Sequence, residues 1–305
     1  MQRTIGSTRI TSVVEQPLDG IDALLAASTP EEVAAIDWLQ PNFVDDDGAM
    51  VGLVQMLVVE HGGRLVVVDT CVGNDRDRPV VEAWNQSQTD FLDRFGAAGF
   101  DPESVDVVLC THLHLDHVGW NTRLDGDRWV PTFPNARYLF DRTEYEHWSA
   151  ESAVEFEPPA GMPDAVAAAL GAFHDTQANV QADAIRPVVD AGLVDLVDAP
   201  CEVLTGLRLV PTRGHTLGHV SVAISSDGGE GLITGDCFHH PSQMARPEWA
   251  AVVDSDPEAS TATRRRLLSE LAGSDTLVIG THFAEPVCGR VVADGESHRL
   301  ITDDD

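Results

Sequence analysis

Short apolar runs rich in Val, Ile and Leu recur along the chain, separated by turns rich in Gly, Asp and Pro. Runs of this length and composition predict buried β-strands. The first two, residues 50–60 and 64–69, are joined by His61-Gly62-Gly63, which predicts a hairpin. Further strands are predicted at residues 105–110, 137–140, 192–198, 207–211, 220–225, 231–234 and 276–279, followed by two short C-terminal strands.

Helical segments lie between these strands. Residues 88–99 have apolar side chains at helical spacing and stop at Gly99, and a second helix is predicted at 260–272. Strands and helices recur in two similar halves, which predicts an α/β fold of four layers, with two sheets packed face to face and helices outside. Because no linker, repeat or low-complexity segment interrupts residues 1–305, we expect a single domain.

Two regions depart from the strand-rich pattern. Residues 1–49 carry only a weak strand signal at 10–14, so they are interpreted as a solvated N-terminal arm, which leaves a homodimer open. Residues from about 149 to 199 contain Pro158-Pro159 and an alanine-rich helix at 165–173, and are interpreted as an inserted helical cap. Such a cap can wall a substrate pocket or serve packing alone.

Composition narrows the partners. The chain has 50 acidic against 19 basic residues, all of them Arg, and a formal net charge of −31. A surface of this sign repels nucleic-acid phosphates and anionic lipid, so we expect neither nucleic-acid nor membrane partners. The five Cys are scattered without a C-x-x-C spacing, and the N-terminus lacks an apolar signal segment, which favours a cytoplasmic protein.

The densest group of potential metal ligands follows the predicted strand at 105–110. It consists of His112, His114, Asp116 and His117 in the pattern H-x-H-x-D-H. A loop at the carboxyl end of a strand can direct these side chains to one place. Imidazole and carboxylate ligands together suit zinc and similar ions.

Four more strand ends bear His or Asp. His215 lies in a glycine-rich loop after the strand at 207–211, and His219 in that loop is interpreted as a supporting residue. Asp236 and His282 each follow an apolar strand directly. Asp69 also follows a strand, where it can cap the turn or orient a ligand histidine.

In this order and spacing, the residues resemble the metal motifs of the metallo-β-lactamase-fold hydrolase superfamily, over about residues 50–285. The resemblance implies an αβ/βα sandwich with a two-metal site along one edge. It also implies the ligands: His112, His114 and His215 for one metal, Asp116, His117 and His282 for the other, and Asp236 as the bridge.

The resemblance implies a dinuclear metal-dependent hydrolase. Two divalent metals, expected to be zinc with Mn, Co or Fe as alternatives, lower the pKa of a shared water and polarise a substrate carbonyl or phosphoryl oxygen. The expected reaction is attack of a metal-bridging hydroxide on a small-molecule lactone or carboxylic ester. Asp116 could hydrogen-bond that hydroxide or protonate the leaving group.

The residues after the ligands indicate a branch of the superfamily. Glyoxalase II-type thioesterases have Gly-Gly after the D-H, whereas this chain has Gly119-Trp120-Asn121-Thr122, which looks most like the lactonase and methyl-parathion-hydrolase-like branch. Acyl-homoserine lactonases have Tyr three residues after the bridging Asp, where this chain has His239. His239 is therefore a candidate catalytic donor or a residue packed at the pocket rim. Organophosphate triester hydrolysis, thioester hydrolysis and di-iron oxidoreduction remain the alternatives.

Overall fold

A computed structural model describes residues 1–151 and 164–302 of the chain. They fall into two compact units. Unit 1 comprises Met1–Gly63 and the residues from Asp198 onward, and unit 2 comprises Arg64–Val197. No helix among the described residues is long and apolar enough to cross a membrane.

The strands of the described residues match most of the predicted ones to within a few positions. In chain order they are β1 (Gln2–Ile5), β2 (Thr8–Leu18), β3 (Gly52–His61), β4 (Arg64–Val68), β5 (Val107–Leu109), β6 (Thr122–Asp125), β7 (Arg128–Pro131), β8 (Arg137–Asp141), β9 (Val194–Val197), β10 (Cys201–Leu204), β11 (Leu207–Pro211), β12 (Val220–Ser226), β13 (Gly229–Ile233), β14 (Leu277–Ile279), β15 (Cys288–Asp294) and β16 (Ser297–Ile301).

The helices lie between these strands. They are α1 (Ile21–Leu24), α2 (Pro30–Ala34), α3 (Phe91–Ala97), α4 (Arg142–Glu151), α5 (Asp164–Val180), α6 (Arg186–Asp190), α7 (Ser242–Ala245) and α8 (Pro257–Leu271). A π-helical turn, Gln181–Ile185, joins α5 to α6. Both glycines of the turn predicted after β3 have positive φ, 58° for Gly62 and 77° for Gly63, as a tight two-residue turn requires.

Unit 1 contains two groups of paired strands. β1, β2 and β3 pair antiparallel in that order. The strands from β10 to β16 form a sheet in sequence order, antiparallel throughout except for the parallel pair of β13 and β14. Ile233 at the end of β13 is level with Ile279 at the end of β14, so the loops that begin at Thr234 and Gly280 leave the same edge of the sheet.

Unit 2 has a parallel core. β4, β5, β8 and β9 pair in parallel, and β6 and β7 form a separate antiparallel pair. Val68 of β4 is level with Leu109 of β5. Asp69 and the histidine loop after residue 110 therefore leave the sheet side by side, because the carboxyl ends of parallel strands meet at one edge.

The N-terminal region differs from the predicted arm. β2 pairs with β3 from Arg9 opposite Glu60 to Leu18 opposite Gly52, and β1 pairs with β2, so most of the first 18 residues belong to a sheet. The sequence showed only its middle because the polar Thr8, Ser12 and Glu15 occupy buried positions of the strand, which weakens the apolar signal.

The predicted cap is helical over much of its described part. The helix predicted at 165–173 is longer, since α5 runs to Val180, and α6 follows it. The cap ends earlier than predicted, because β9 pairs in parallel with β8 and so belongs to the sheet. Pro158-Pro159 lies outside the described residues, and the single-domain assignment stays a prediction.

Buried charge anchors the π-helical turn. The Asp183 carboxylate accepts hydrogen bonds from both terminal guanidinium nitrogens of Arg78, at 2.9 and 2.7 Å. The Arg76 guanidinium lies 3.1 Å from the same carboxylate, and both arginine side chains are fully buried. A bidentate pair of this kind is geometrically specific, so it fixes the turn to the loop after β4.

Candidate metal centre

The first histidine cluster lies in unit 2, in the loop after β5. The ring of His112 has its centroid 4.5 Å from that of His114 and 4.0 Å from that of His117. All three histidines are buried, whereas 13% of the Asp116 side chain is exposed, with Oδ1 3.6 Å from His117 Nε2. The loop therefore gathers the four predicted residues, and Asp116 is the one most open to solvent.

Asp69 orients this cluster from behind. Its Oδ2 lies 3.0 Å from His117 Nδ1, and its Oδ1 accepts a hydrogen bond from the Thr111 amide at 2.7 Å. The Asp69 backbone adopts φ 55°, a strained value for a residue with a side chain. With Nδ1 facing the carboxylate, Nε2 of His117 is the nitrogen left for a metal.

Aromatic side chains surround His114. The rings of Trp148 and Phe173 each have centroids 5.3 Å from that of His114, in edge-on arrangements. Glu144 accepts hydrogen bonds from Trp148 Nε1 at 2.7 Å and from the Leu113 amide at 3.1 Å. The start of α4 therefore holds both the loop and one aromatic wall, giving the cluster an apolar flank.

The Gly119-Trp120 stretch anchors the end of the loop. A Cβ on Gly119 would lie 1.8 Å from the Val72 carbonyl oxygen, so only glycine fits. The Trp120 amide donates to the Thr70 carbonyl at 2.7 Å, and the Trp120 ring stacks on Phe91 of α3 at 5.6 Å. The stretch that indicated a branch of the superfamily thus has a packing role in this chain.

The second cluster lies in unit 1. Asp236 is at its centre, in a short 3₁₀ turn that follows β13. Its Oδ2 lies 3.6 Å from His215 Nε2 and 3.3 Å from His239 Nε2, while its Oδ1 lies 3.2 Å from His282 Nε2. All four residues are buried, so the predicted ligands of this unit converge and His239 joins them.

His215 and His282 are each held through Nδ1. The Nδ1–H of His215 donates to Asp254 Oδ1 at 2.8 Å, and that of His282 donates to the Leu53 carbonyl at 2.9 Å. Burial opposes ionisation of Asp254, but its hydrogen bond and charge interaction with His215 hold its pKa well below the usual range. Both imidazoles thereby direct Nε2 towards Asp236.

Asp254 was missed by the sequence reasoning. It lies in the loop before α8, 39 positions after His215, and no strand or motif marks it among the 50 acidic residues. The Leu53 carbonyl was missed for the same reason, since a backbone acceptor has no sequence signature.

His219 supports Asp236 as interpreted from the sequence. Its Nε2 accepts a hydrogen bond from the Asp236 amide at 2.9 Å. Its Nδ1–H must then donate, and the Thr212 carbonyl lies 3.0 Å away. The ring therefore fixes the backbone of the Asp236 turn rather than joining the cluster.

His239 and His240 are both buried but differ in their hydrogen bonds. His239 faces Asp236 and lies parallel to His282, with ring planes 4° apart, and among the described residues its Nδ1 has no hydrogen-bond partner. His240 lies between Ser242 Oγ at 2.9 Å and the Phe43 carbonyl at 2.8 Å. Burial lowers the pKa of both, to about 4 for His240, so both rings are neutral at pH 7.

The donor chemistry of both clusters fits a zinc-type ion. In both clusters imidazoles lie beside a carboxylate, and His117, His215 and His282 have Nδ1 engaged so that Nε2 is left for a metal, a ligand set that such ions prefer. In unit 1 the ligand atoms of His215, Asp236 and His239 lie within 4.8 Å of one another, a spacing that one ion can span.

Comparison with known proteins gives a family match over most of the chain. The model of the metallo-beta-lactamase superfamily matches residues 49–282. Among curated proteins, N-acyl homoserine lactonase AttM of Agrobacterium fabrum (strain C58) is 43% identical over 56 residues, 18% of each chain. N-acyl homoserine lactonase AiiA of Bacillus thuringiensis subsp. kurstaki is 22% identical over 188 residues, which cover 61% of this chain and 59% of AiiA. The matches thus span less than two thirds of either relative.

Solved structures resemble nearly the whole chain. Hydrolase AbOPH of the beta lactamase superfamily is 25% identical with a TM-score of 0.74, covering 98% of this chain and 96% of AbOPH. AidC, a dizinc quorum-quenching lactonase, is 20% identical with a TM-score of 0.76, covering 99% and 97%, and shows the fold alone. These matches confirm the predicted fold class and the resemblance stated from the motifs. The chain belongs to the metallo-β-lactamase superfamily.

Proposed function

We propose that this protein is a dinuclear metal-dependent hydrolase that opens a lactone or cleaves a related carboxylic ester. The observation that carries the proposal is that each unit holds a buried histidine cluster, and that three of these histidines have Nδ1 facing an acceptor. Asp69 provides it for His117, Asp254 for His215 and the Leu53 carbonyl for His282. Three imidazoles fixed in this way are typical of metal ligands.

The proposed ligands are those that the motif order implies. His112, His114 and His215 bind one metal, Asp116, His117 and His282 bind the other, and Asp236 bridges them. Zinc is the proposed metal, because the set has five imidazoles and two carboxylates and no thiolate. Two such ions, when bound, lower the pKa of a water molecule and polarise a carbonyl oxygen.

The residues around the proposed ligands hold this arrangement through hydrogen bonds and ion pairs. Asp69 and Asp254 keep the second nitrogen of their histidines engaged, and His219 holds the Asp236 backbone from behind. Burial excludes competing water from the histidines, which strengthens electrostatic interactions at the site. The ligand geometry is therefore set before substrate arrives.

Two residues are proposed to handle substrate charge and protons. Asp116 is the more exposed carboxylate of the set, so a substrate can reach it. It accepts the proton of the hydroxyl group that adds to the carbonyl carbon and delivers that proton to the leaving alkoxide oxygen when the ring C–O bond breaks. His239 is neutral because burial lowers its pKa, and one ring N–H can donate to the carbonyl oxygen. This is the place of the tyrosine in acyl-homoserine lactonases.

The substrate class is supported by the lactonase relatives and by the apolar flank of the His114 cluster, where Trp148 and Phe173 can contact an acyl chain. A panel of γ- and δ-lactones, aryl esters, thioesters and phosphotriesters tests it, each assayed after reconstitution with Zn, Mn, Co or Fe. We expect kcat/KM to be highest for a lactone or carboxylic ester. A higher value for thioesters or phosphotriesters would reassign the enzyme to that class.

Metal analysis of the same preparations tests the dinuclear assignment. We expect two divalent ions per chain, and one or none for Asp236→Asn, which keeps the size of the side chain but removes its charge. Two irons with a visible absorption band would indicate an oxidoreductase instead.

A further inference from the structure

Gln55 is a buried amide inside an apolar strand. It lies in β3 between Val54 and Met56, and only 2% of it is exposed. A polar side chain at such a position is costly unless it is fully hydrogen-bonded. Its partners therefore indicate why the strand has an amide there.

The partners of Gln55 are the backbone carbonyls around His282. Its Nε2 lies 3.3 Å from the Gly280 oxygen, 3.1 Å from the Thr281 oxygen and 3.2 Å from the Phe283 oxygen. Its own Oε1 accepts a hydrogen bond from Ser12 Oγ of β2 at 2.5 Å. The amide is thus oriented by β2 and shared among three carbonyls of the loop after β14.

The same stretch of β3 binds His282 itself. The Leu53 carbonyl accepts from His282 Nδ1, and the Leu53 amide donates to the His282 carbonyl, both at 2.9 Å. Gly52 forms a bridge with Phe283. β3 therefore fixes both the ring and the backbone of this residue, and Gln55 fixes the carbonyls on either side.

The loop has little room for another conformation. A Cβ on Gly280 would lie 2.1 Å from the Phe283 ring, so the two residues are in close contact. Phe283 is fully buried and packs edge-on against Phe43 at 6.4 Å. If the amide donors were removed, three buried carbonyls would lose hydrogen bonds, and the loop could recover them only by moving towards water.

We infer that Gln55 is a positioning residue for His282, and that it sets the affinity of the second metal through that histidine. The second part rests on the proposed function, in which His282 ligates that metal. Gln55 contacts neither metal nor substrate. It acts by hydrogen-bonding the backbone carbonyls of Gly280, Thr281 and Phe283, which lie on either side of His282.

The test compares Gln55→Met, which keeps the shape without the donors, and Gln55→Glu, which turns an acceptor towards the carbonyls. Val58→Ala is the matched control, because it opens a cavity in the same buried strand, at a position that pairs with Thr11 of β2. Zinc affinities are measured by titration against a chelating indicator. We expect the dissociation constant of the second zinc to rise about 10–100-fold in both Gln55 variants, with the first changed by less than about threefold.

A second measurement needs no metal. Hydrogen exchange of the backbone amides at 280–283 is followed in the metal-free protein, where we expect faster exchange in Gln55→Met than in Val58→Ala of similar stability. Equal loss of both metals, an unchanged second affinity, or the same pattern in Val58→Ala would overturn the inference. If the wild-type chain bound fewer than two metals, the proposed function would fail, while the exchange measurement would still decide whether Gln55 positions the loop.

Discussion

The carboxylate of Asp69 lies 3.0 Å from Nδ1 of His117, on a backbone held at φ 55°. The two residues leave adjacent parallel strands, 48 positions apart in the chain. The strained backbone aims the carboxylate at the histidine. Hydrogen bonds from the amide and the hydroxyl of Thr111, at the start of the histidine loop, hold the carboxylate in this position.

Asp69→Asn should weaken metal binding without unfolding the chain. The amide keeps the size but loses the charge that supports the imidazole, and such changes cost about 10–100-fold in metal affinity. The measurement is zinc titration of the purified variant. Asp125→Asn, an exposed change in the same unit, should leave the affinity unaltered, and equal behaviour of the two variants would contradict the orienting role.

Asp254 should matter through charge as well as shape. Asp254→Asn still offers an acceptor to His215 Nδ1, whereas Asp254→Leu offers none and leaves Arg264 without its carboxylate at 3.7 Å. We expect Asp254→Leu to lose metal affinity and to lower the free energy of unfolding by about 3–5 kcal/mol, with a smaller effect for Asp254→Asn. Chemical denaturation with metal analysis checks this order, and the reverse order would refute it.

His239 should act on substrate and leave metal binding intact. His239→Phe removes the N–H, so kcat on the best lactone or ester should fall about 10²–10⁴-fold, with two metals still bound. The absorption spectrum of the cobalt-substituted variant is the decisive check. A changed spectrum or a lost metal would make His239 a ligand, with His215 and Asp236, rather than a donor.

His240 should make stability depend on pH below neutrality. Burial holds the folded pKa at about 4 against 6.5 for the free side chain, so the unfolded chain binds the proton more readily. The resulting stabilisation is complete above about pH 6.5 and is lost as pH falls towards 4, on the order of 3 kcal/mol in all. Denaturation of His240→Asn between pH 7 and 4 should show a shallower decline than wild type. Parallel curves for the two proteins would contradict the prediction.

Local sequence signals were enough to predict the strands and to place the proposed ligands at their ends. The apolar runs before His112, Asp236 and His282 are short, strongly patterned and adjacent to the proposed ligands, so the strands and the candidate site could be predicted together. The residues that hold the proposed ligands in place could not be predicted in this way. Asp254, Gln55 and Leu53 come close to His215 and His282 only through the fold, across 39 to 229 positions.

The N-terminal strands were hidden for a different reason. The buried positions of β2 include the polar Thr8, Ser12 and Glu15, and a register shift between Val14 and Gln16 interrupts its alternation. The hydrophobic periodicity of the sequence is therefore weak at buried positions of this strand. In the structure, the pairing of β2 with β3 identifies the strand. This pairing joins residues far apart in the chain, so the hydrophobic pattern along the sequence does not reveal it.

Asp183 has a consequence for recombination between relatives. The helical segment from α5 to α6 could be exchanged for that of another family member to alter substrate range, but its π-helical turn supplies the acid for two buried arginines. A donor segment without a carboxylate at that turn would leave Arg76 and Arg78 charged and unneutralised in the interior, at a cost of about 3–5 kcal/mol. Viable chimeras should therefore have a carboxylate at that turn of the donor segment. Otherwise both arginines should be replaced when the segment is exchanged.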